Sequence, residues 1–153
     1  MAGLVGEQRL DVFVDSFAFA FQESWDADLP VEFPDAFDAG VFVNAFPGRV
    51  DVCSVGRMHT VVVAVQVWDG EPPAEQDAAW DVRGEAGFES VSGDVAVWTP
   101  SLGRNDDLVE LGRKGAWRVR VHCTGRDELA ELWESQEPVA GIERYLVQFF
   151  PAG

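Results

Sequence analysis

The sequence predicts a mainly β fold: an antiparallel β-sandwich of jelly-roll-like form, with one short helix near the C-terminal end. About nine short stretches alternate apolar and polar residues, as half-buried strands do. Turns containing Gly, Pro or Asp separate most of them, as in sandwiches. Hydrophobic residues make up 47% and aromatic residues 12% of the 153 residues. That is enough to fill the aromatic-rich core of a single domain over residues 1–153.

The first two apolar stretches are Leu10–Val14 and Phe17–Phe21, which alternate on opposite parities. One extra residue exchanges the two faces of a strand, so the change at Asp15-Ser16 predicts a β-bulge or a bend. A long acidic connection, Gln22–Asp38, follows, with Pro30 and Pro34 and no basic residue.

The middle of the chain predicts several more strands. His59–Trp68 is nearly continuously apolar, which indicates a central strand covered on both faces. The loops are Asp69–Ala79, with its glycine and prolines, and the polar Leu102–Asp107. The other strands in this part are Val41–Val43, Arg49–Val55, the weaker Ala79–Val82 and Gly87–Val91, then Val95–Thr99 and Leu108–Leu111.

The C-terminal third contains the clearest strand, Trp117–Cys123, in which apolar residues alternate with Arg118, Arg120 and His122. Asp127–Gln136 is the best helix candidate because Leu129, Leu132 and Trp133 recur at helical spacing. Tyr145–Phe150 is the last strand, and Pro151 ends it.

Charge is the most unusual property of the sequence. There are 27 acidic residues against 11 basic ones, a formal net charge of −16. Such a surface repels nucleic acid and anionic membranes and attracts basic proteins. High net charge also supports solubility, so a general solubility role is the alternative interpretation.

The acids are concentrated in Met1–Gly48 and Asp69–Glu110, whereas the bases gather in Gly112–Arg126. For Arg118 and Arg120 we expect pairing with acids on a neighbouring strand. If the acidic stretches meet at one end of the sandwich, they form a docking surface for a basic partner such as a nuclease or toxin. The candidate partner-binding residues are Asp26, Asp28, Glu32, Asp35, Asp38, Asp106 and Asp107.

No catalytic, cofactor-binding or metal-binding signature is found, so we predict a binding protein and not an enzyme. Cys53 and His59 flank a possible turn, but a Cys–His site needs an orienting group. Cys53 and Cys123 are expected to be buried free thiols. The alternative is a ligand-binding sandwich, with Ca²⁺ near paired carboxylates or a sugar on exposed aromatic rings. The residues for it are Asp26/Asp28, Asp106/Asp107, Trp25, Trp68, Trp80 and Trp98.

The first residues, Met1–Glu7, lack the basic and apolar regions of a signal peptide, and Val61–Val65 is the longest apolar run. We therefore expect a cytoplasmic location and no membrane span. Edge strands make a homodimer by sheet extension possible.

The order of features resembles the competence protein J family, small proteins that inhibit the competence-associated DNA-entry nuclease. The similarity is carried by an amphipathic strand ending in a Phe/Gln stretch, a pair of middle strands and two late strands. It implies a sandwich that inhibits a nuclease by binding it, and it supplies no catalytic motif. The C-terminal part, Arg118–Asp127 with Tyr145–Phe149, is also similar to uncharacterised actinobacterial proteins. The family resemblance rests on Leu10–Ser24, Ala39–Phe42, Val50–Val52, Val61–Val65, Gly115–His122 and Glu143–Phe150.

Overall fold

A computed structural model describes residues 2–15, 17–23, 38, 40–46, 48–73, 80–99, 103–132 and 140–152. Strands account for most of this part of the chain. The elements are β1 (Leu4–Asp15), β2 (Ala18–Glu23), β3 (Val43–Phe46), β4 (Arg49–Cys53), β5 (Met58–Trp68), β6 (Val82–Ser90), β7 (Asp94–Thr99), β8 (Gly103–Glu110), β9 (Gly115–Thr124), α1 (Arg126–Leu132) and β10 (Ala140–Pro151).

The strands form two layers that confirm the predicted sandwich. One layer has the order β3-β4-β2-β7-β8 and the other has the order β1-β5-β10-β9-β6. Neighbours are antiparallel except β5 and β10, which run parallel, while β10 runs antiparallel to β9. The two layers are joined where Asp15 of β1 pairs with Ala18 of β2.

Both long sides of the sandwich are closed by contacts between edge strands. On one side β6 lies against β3, and a Cβ atom on Gly84 would come within 2.6 Å of Val43. On the other side the Nε2 atom of Gln8 in β1 donates a 2.9 Å hydrogen bond to the carbonyl oxygen of Leu108 in β8. These contacts leave less of each edge exposed for pairing with another chain.

The core between the layers is built from alternate residues of every long strand, as the period-2 pattern predicts. Its aromatic rings pack edge to face: Phe19 lies 5.1 Å from Tyr145, and Phe21 lies 5.4 Å from Phe149. Such geometry places the positive edge of one ring on the negative face of the next. The aromatic-rich core is therefore confirmed.

β5 is a central strand, between β1 and β10, as predicted. Its inward side chains, including Val61, Val63 and Val65, are fully buried. Its outward side chains, including Val62 and Ala64, are half-buried. The prediction of cover on both faces is thus confirmed for the inner face and only partly for the outer one.

Two sequence predictions in the middle of the chain were wrong. The polar stretch expected as a loop over Leu102–Asp107 belongs, from Gly103 onward, to β8. β8 is an edge strand, and such strands tolerate polar residues. The two weak strands at Ala79–Val82 and Gly87–Val91 are replaced by one strand, β6, which pairs with β9 along its length. The exposed side chains of Arg83 and Glu85 had hidden its continuity.

The apolar residues change parity after Asp15 for a different reason from the one predicted. The chain reverses at this point, and β2 runs antiparallel to β1. The reversal passes through Phe17, whose φ angle is +67°. When the chain reverses into the other layer, the inward-facing residues also change parity. The sequence pattern alone therefore did not distinguish a reversal from a bulge.

The helix predicted over Asp127–Gln136 is confirmed: α1 spans Arg126–Leu132. Residues 133–136 of the predicted range lie outside the described residues. Leu129 anchors the helix on the sandwich, with a side chain that is almost fully buried. A carboxylate oxygen of Asp81 accepts a hydrogen bond from the backbone nitrogen of Arg126 at the start of the helix. No helix in the described part of the chain is long and apolar enough to cross a membrane.

Candidate functional site

The predicted partner-binding acids fall in three places. Asp38 is exposed just before β3, and Asn44 fixes its backbone through bonds of 2.9 and 3.0 Å to its nitrogen and carbonyl oxygen. Asp106 and Asp107 belong to β8, at the opposite edge of the same layer. Four strand spacings separate these edges, about 19 Å, so the backbone does not bring the two groups together. Asp26, Asp28, Glu32 and Asp35 lie outside the described residues.

Asp38 lies at the end of the sandwich that carries α1. We call this the helix end and define it by α1, Asp38, Val41, residues 53–59 and Asp81. Exposed carboxylates gather here, and none of them forms an ion pair with a basic side chain among the described residues. They are Asp38, Asp81, Asp127, Glu128 and Glu131.

The basic side chains near the helix end only partly offset this charge. Arg57 and Arg144 are exposed. Arg126 is turned toward the interior, where one guanidinium nitrogen lies 3.8 Å from a carboxyl oxygen of Glu143 and donates a 3.1 Å hydrogen bond to the carbonyl oxygen of Cys53. Its guanidinium also lies 5.2 Å from the ring centre of Phe42. The outer surface of the helix end therefore has an excess of negative charge.

The basic face of β9 is neutralised by acids, as predicted. The Nε atom of Arg118 lies 3.1 Å from Glu85 on the neighbouring strand β6. Arg120 contacts Glu71 at 3.0 Å and Glu85 at 3.4 Å. Exposed pairs of this kind stabilise a sheet only modestly. They leave no strong positive field on this part of the surface.

Below the helix end lies a buried polar network. The hydroxyl of Ser54 is 2.7 Å from Nε2 of His59, and the same nitrogen lies 3.9 Å from a carboxyl oxygen of Glu143. Glu143 also accepts hydrogen bonds from the hydroxyl of Tyr145 and, at 3.3 Å, from the backbone nitrogen of Val55. The network ties the β4–β5 turn to β10.

Burial controls the titration of this region. Burial lowers the pKa of His59, while the negative charge of Glu143 opposes part of that shift. Burial also raises the pKa of Cys53 to about 11 and that of Cys123 to about 12. Both thiols are free, as predicted. At neutral pH they are protonated and therefore poor nucleophiles.

Ser54, His59 and Glu143 have the residue types of a catalytic triad without its geometry. In a triad the hydroxyl and the acid bond to opposite nitrogens of the imidazole. Here both approach Nε2, and Nδ1 has no hydrogen-bond partner within the described part of the chain. All three side chains are buried, so a substrate in solution does not reach them. The arrangement positions the turn and the helix and provides no accessible nucleophile.

A sugar-binding sandwich requires a row of exposed aromatic rings, and a Ca²⁺ site requires clustered oxygen ligands. Trp98 and Trp117 are buried in the core, while Trp68 and Trp80 are half-buried, so these four do not form an exposed row. Trp25 lies outside the described residues. Among the residues that the structure covers, no three His, Cys, Asp or Glu side chains gather closely enough to hold a metal ion.

One cleft of about 500 Å³ opens on the outer face of the second layer, between β6, β9 and the loop after β5. Its two arginines face two glutamates, and Arg120 already contacts both acids. The balanced charge gives the cleft no preference for an anion or a cation. Its lining residues are Glu71, Pro72, Arg83, Gly84, Glu85, Arg120 and His122.

The sequence pattern did not identify the acids of α1 and the buried Glu143 as parts of this end. The helix was predicted, so its exposed side could have been identified from the positions opposite Leu129. Glu143 shares the parity of the inward-facing Tyr145, Val147 and Phe149. A charged residue on the inward parity of a strand is a signal for a buried polar network.

Similarity to known proteins is found in the fold and not in the sequence. No family model and no curated protein sequence matches the chain. The crystal structure of ComJ from Bacillus subtilis, the inhibitor of the DNA-degrading activity of NucA, superposes with a TM-score of 0.66 at 13% identity, covering 99% of each chain. The protein of Crocagin biosynthetic gene J superposes with a TM-score of 0.61 at 16% identity, covering 97% of this chain and 100% of the other. The chain thus has the fold of competence protein J, the family that its sequence resembles.

Proposed function

We propose that this chain is an inhibitor that binds a basic protein, with a DNA nuclease as the first candidate, and blocks its active site. The observation that carries the proposal is the ComJ fold, shared over 99% of both chains. ComJ inhibits the DNA-degrading activity of a nuclease. The net charge of −16 supports the same function independently, because it arises from the composition and not from the fold.

The mechanism follows from the charge of the two surfaces. A nuclease must hold the phosphates of its substrate and therefore presents a basic cleft. An acidic protein that occupies the cleft competes with DNA for the same cationic groups. Long-range attraction also steers the two proteins together and raises the association rate. The chain needs no catalytic residue for this task, which it performs in the cytoplasm as an immunity-type protein.

Asp38 and the carboxylates of the helix end are the described part of the proposed binding surface. The acidic connection that leads to Asp38 contributes Asp26, Asp28, Glu32 and Asp35. Asp106 and Asp107 lie at the far edge of the layer and form a separate acidic region. A partner of ordinary interface size, about 800 Å² on each side, covers one of these regions more readily than both.

Binding is tested by calorimetry against each DNA nuclease encoded in the genome that carries this chain. We expect one nuclease to form a complex that is tight at about 0.01 M salt and weaker at about 1 M, where the Debye length falls from about 30 to about 3 Å. A lysozyme of similar positive charge serves as the control for non-specific attraction. No binding of any nuclease at low salt, or equal binding of lysozyme, overturns the proposal.

A further inference from the structure

Two oxygen atoms compete for one nitrogen of the buried His59 side chain. The Nε2 atom lies 2.7 Å from the hydroxyl of Ser54 and 3.9 Å from a carboxyl oxygen of Glu143. The Ser54 oxygen also accepts a 3.0 Å hydrogen bond from the backbone nitrogen of Gly56, so its own hydrogen is free to donate to Nε2. Neutral imidazole accepts such a bond with the lone pair of Nε2, which holds the ring against the β4–β5 turn.

A proton on His59 removes that lone pair. In the imidazolium ion both ring nitrogens are donors, so Nε2 can no longer accept the hydrogen of Ser54. The carboxyl oxygen of Glu143 is then the better partner, because a bond between opposite charges is about twice as strong as one between neutral groups. To reach an ordinary length of about 2.8 Å, the two atoms must approach each other by about 1 Å. Nδ1 has no hydrogen-bond partner in the described part of the chain, so no bond at that atom opposes the movement.

Glu143 already has a cationic partner, Arg126, at the first position of α1. A guanidinium nitrogen of Arg126 lies 3.8 Å from the other carboxyl oxygen of Glu143. The side chain of Arg126 is 23% exposed, whereas that of His59 is 1% exposed. Of the two cations, Arg126 is therefore the one that can turn toward water. Its departure also breaks the 3.1 Å hydrogen bond that it donates to the carbonyl oxygen of Cys53.

The helix α1 packs on the turn through the same imidazole. A Cβ atom added to Gly56 would lie 2.6 Å from His59 and 2.9 Å from Leu129, so ring, turn and helix are in close contact. Leu129 is almost fully buried and anchors the helix. A gap of about 0.5–1 Å already removes about a quarter to a half of the attraction between packed atoms. A shift of the ring toward Glu143 therefore weakens the packing of Leu129.

The neighbouring titratable groups do not take up the proton in place of His59. β1 places the apolar Val14 opposite His59. On β10, Tyr145 donates its hydroxyl hydrogen to Glu143, and burial raises the pKa of Tyr145 well above its ordinary value. Burial likewise raises the pKa of Cys123 on β9 to about 12, so both groups remain neutral in acid. The other charged side chains of the turn and of α1 are exposed, and they are Arg57, Asp127, Glu128 and Glu131.

We infer that His59 is an acid-operated switch: on gaining a proton, its imidazole exchanges Ser54 for Glu143, displaces Arg126 toward water and loosens α1 from the sandwich. Burial lowers the pKa of His59 below its ordinary value of 6.5, so at neutral pH the ring stays bonded to Ser54. The exposed acids of α1 belong to the proposed binding surface, so acid also alters that surface; this consequence rests on the proposed function. The exchange itself concerns the chain alone and is tested without a partner.

The test is an NMR titration of the chain alone between pH 7.5 and pH 5, in which only signals of the folded state are followed. The ring nitrogens of His59 should show Nε2 without a proton at pH 7.5 and both nitrogens protonated in acid. The methyl signals of Leu129 should move with the same midpoint, below 6.5, and the guanidinium signals of Arg126 should approach those of the exposed Arg57. The methyl signals of Val63, in the central strand β5, should not move.

Two variants separate the exchange from the simple packing of a buried ring. Ser54→Ala removes the hydrogen bond that favours the neutral ring, so the midpoint should rise by about 0.5–1 pH unit. His59→Gln cannot take up a proton, so the signals of Leu129 should stay constant with pH. The matched control is His122→Gln, which replaces the other histidine, buried on β9, and should leave the titration of His59 unchanged.

Several results contradict the switch. A proton on Nε2 at pH 7.5 means that Ser54 does not donate to it. If His59 titrates while the signals of Leu129 and Arg126 keep their places, or if the chain unfolds before His59 gains its proton, α1 is not released. A midpoint unchanged in Ser54→Ala means that Ser54 and Glu143 do not compete, and loss of the Leu129 response in His122→Gln assigns it to the other histidine. The failure of every nuclease to bind overturns the proposed function and leaves the titration as it is.

Discussion

The Nε2 atom of His59 lies 3.9 Å from a carboxyl oxygen of Glu143, and both side chains are buried. The side chains of Ser54, Tyr145 and Arg126 lie next to this pair. The pair holds the β4–β5 turn beneath the helix end, so the shape of the proposed binding surface depends on it. The ionisation of His59 links the stability of that surface to pH.

The first prediction concerns acid. Burial lowers the pKa of His59 in the folded chain below its ordinary value near 6.5. As the pH falls below 6.5, the unfolded chain takes up a proton that the folded chain resists, so the free energy of unfolding decreases toward the folded-state pKa. Urea unfolding at pH 7.5 and pH 5 should show a larger loss for the unaltered chain than for His59→Gln. Equal losses in the two proteins contradict this account of His59.

The second prediction concerns Glu143. Glu143→Ala removes the acceptor for the hydroxyl of Tyr145 and for the nitrogen of Val55, and it leaves Arg126 without its acidic partner. We expect the free energy of unfolding to fall by about 3 kcal/mol. Glu85→Ala is the control, since it breaks the half-exposed pairs on β9 and should cost less than about 1 kcal/mol. Similar losses for the two variants count against a structural role for the buried network.

A third prediction uses two glycines. A Cβ atom on Gly56 would lie 2.6 Å from His59 and 2.9 Å from Leu129, so Gly56→Ala must displace the imidazole or the helix. The expected loss in the free energy of unfolding is about 1–3 kcal/mol. On Gly87 the nearest atom would be 3.9 Å away, and Gly87→Ala should be neutral or stabilising by up to about 1 kcal/mol. If Gly56→Ala melts at the same temperature as the unaltered chain, α1 does not pack closely on the turn.

The fourth prediction concerns the two thiols. With pKa values of about 11 and about 12, Cys53 and Cys123 are protonated at neutral pH as well as buried. Ellman's reagent should therefore not react with the native chain at pH 7.5 and should titrate both thiols after unfolding in urea. Rapid reaction of a thiol in the native chain would show that the core around it opens.

Much of the fold could be predicted from the sequence, because the alternation of apolar and polar residues shows which side chains of a strand are buried. Trp117–Cys123 alternates cleanly, and β9 contains all of it. The prediction failed where apolar residues did not mark the strand. β8 is polar along most of its length, and its partner β7 supplies the hydrogen bonds that the side-chain pattern does not show. The reversal at Phe17 was missed because a change of layer and a bulge both exchange parity.

The sequence indicates what kind of site to expect, but not which residues form it. Net charge shows that the chain is strongly acidic, but it does not say which carboxylates share a surface. Asp38 and Asp106 are similar in sequence terms, yet the strand order places them at opposite edges of one layer. The exposure of Phe17 could not be predicted either, since Phe17 continues the alternation of Phe19 and Phe21 and therefore looks like a core residue. Its exposure depends on the backbone of the turn.

The proposed inhibition requires the chain to occupy the basic cleft of a nuclease. The most direct test is to follow the digestion of plasmid DNA by the nuclease that binds in calorimetry, while the concentration of the chain is raised. We expect digestion to stop when the chain and the nuclease reach equal molar amounts. Full digestion in the presence of a saturating excess of the chain contradicts it.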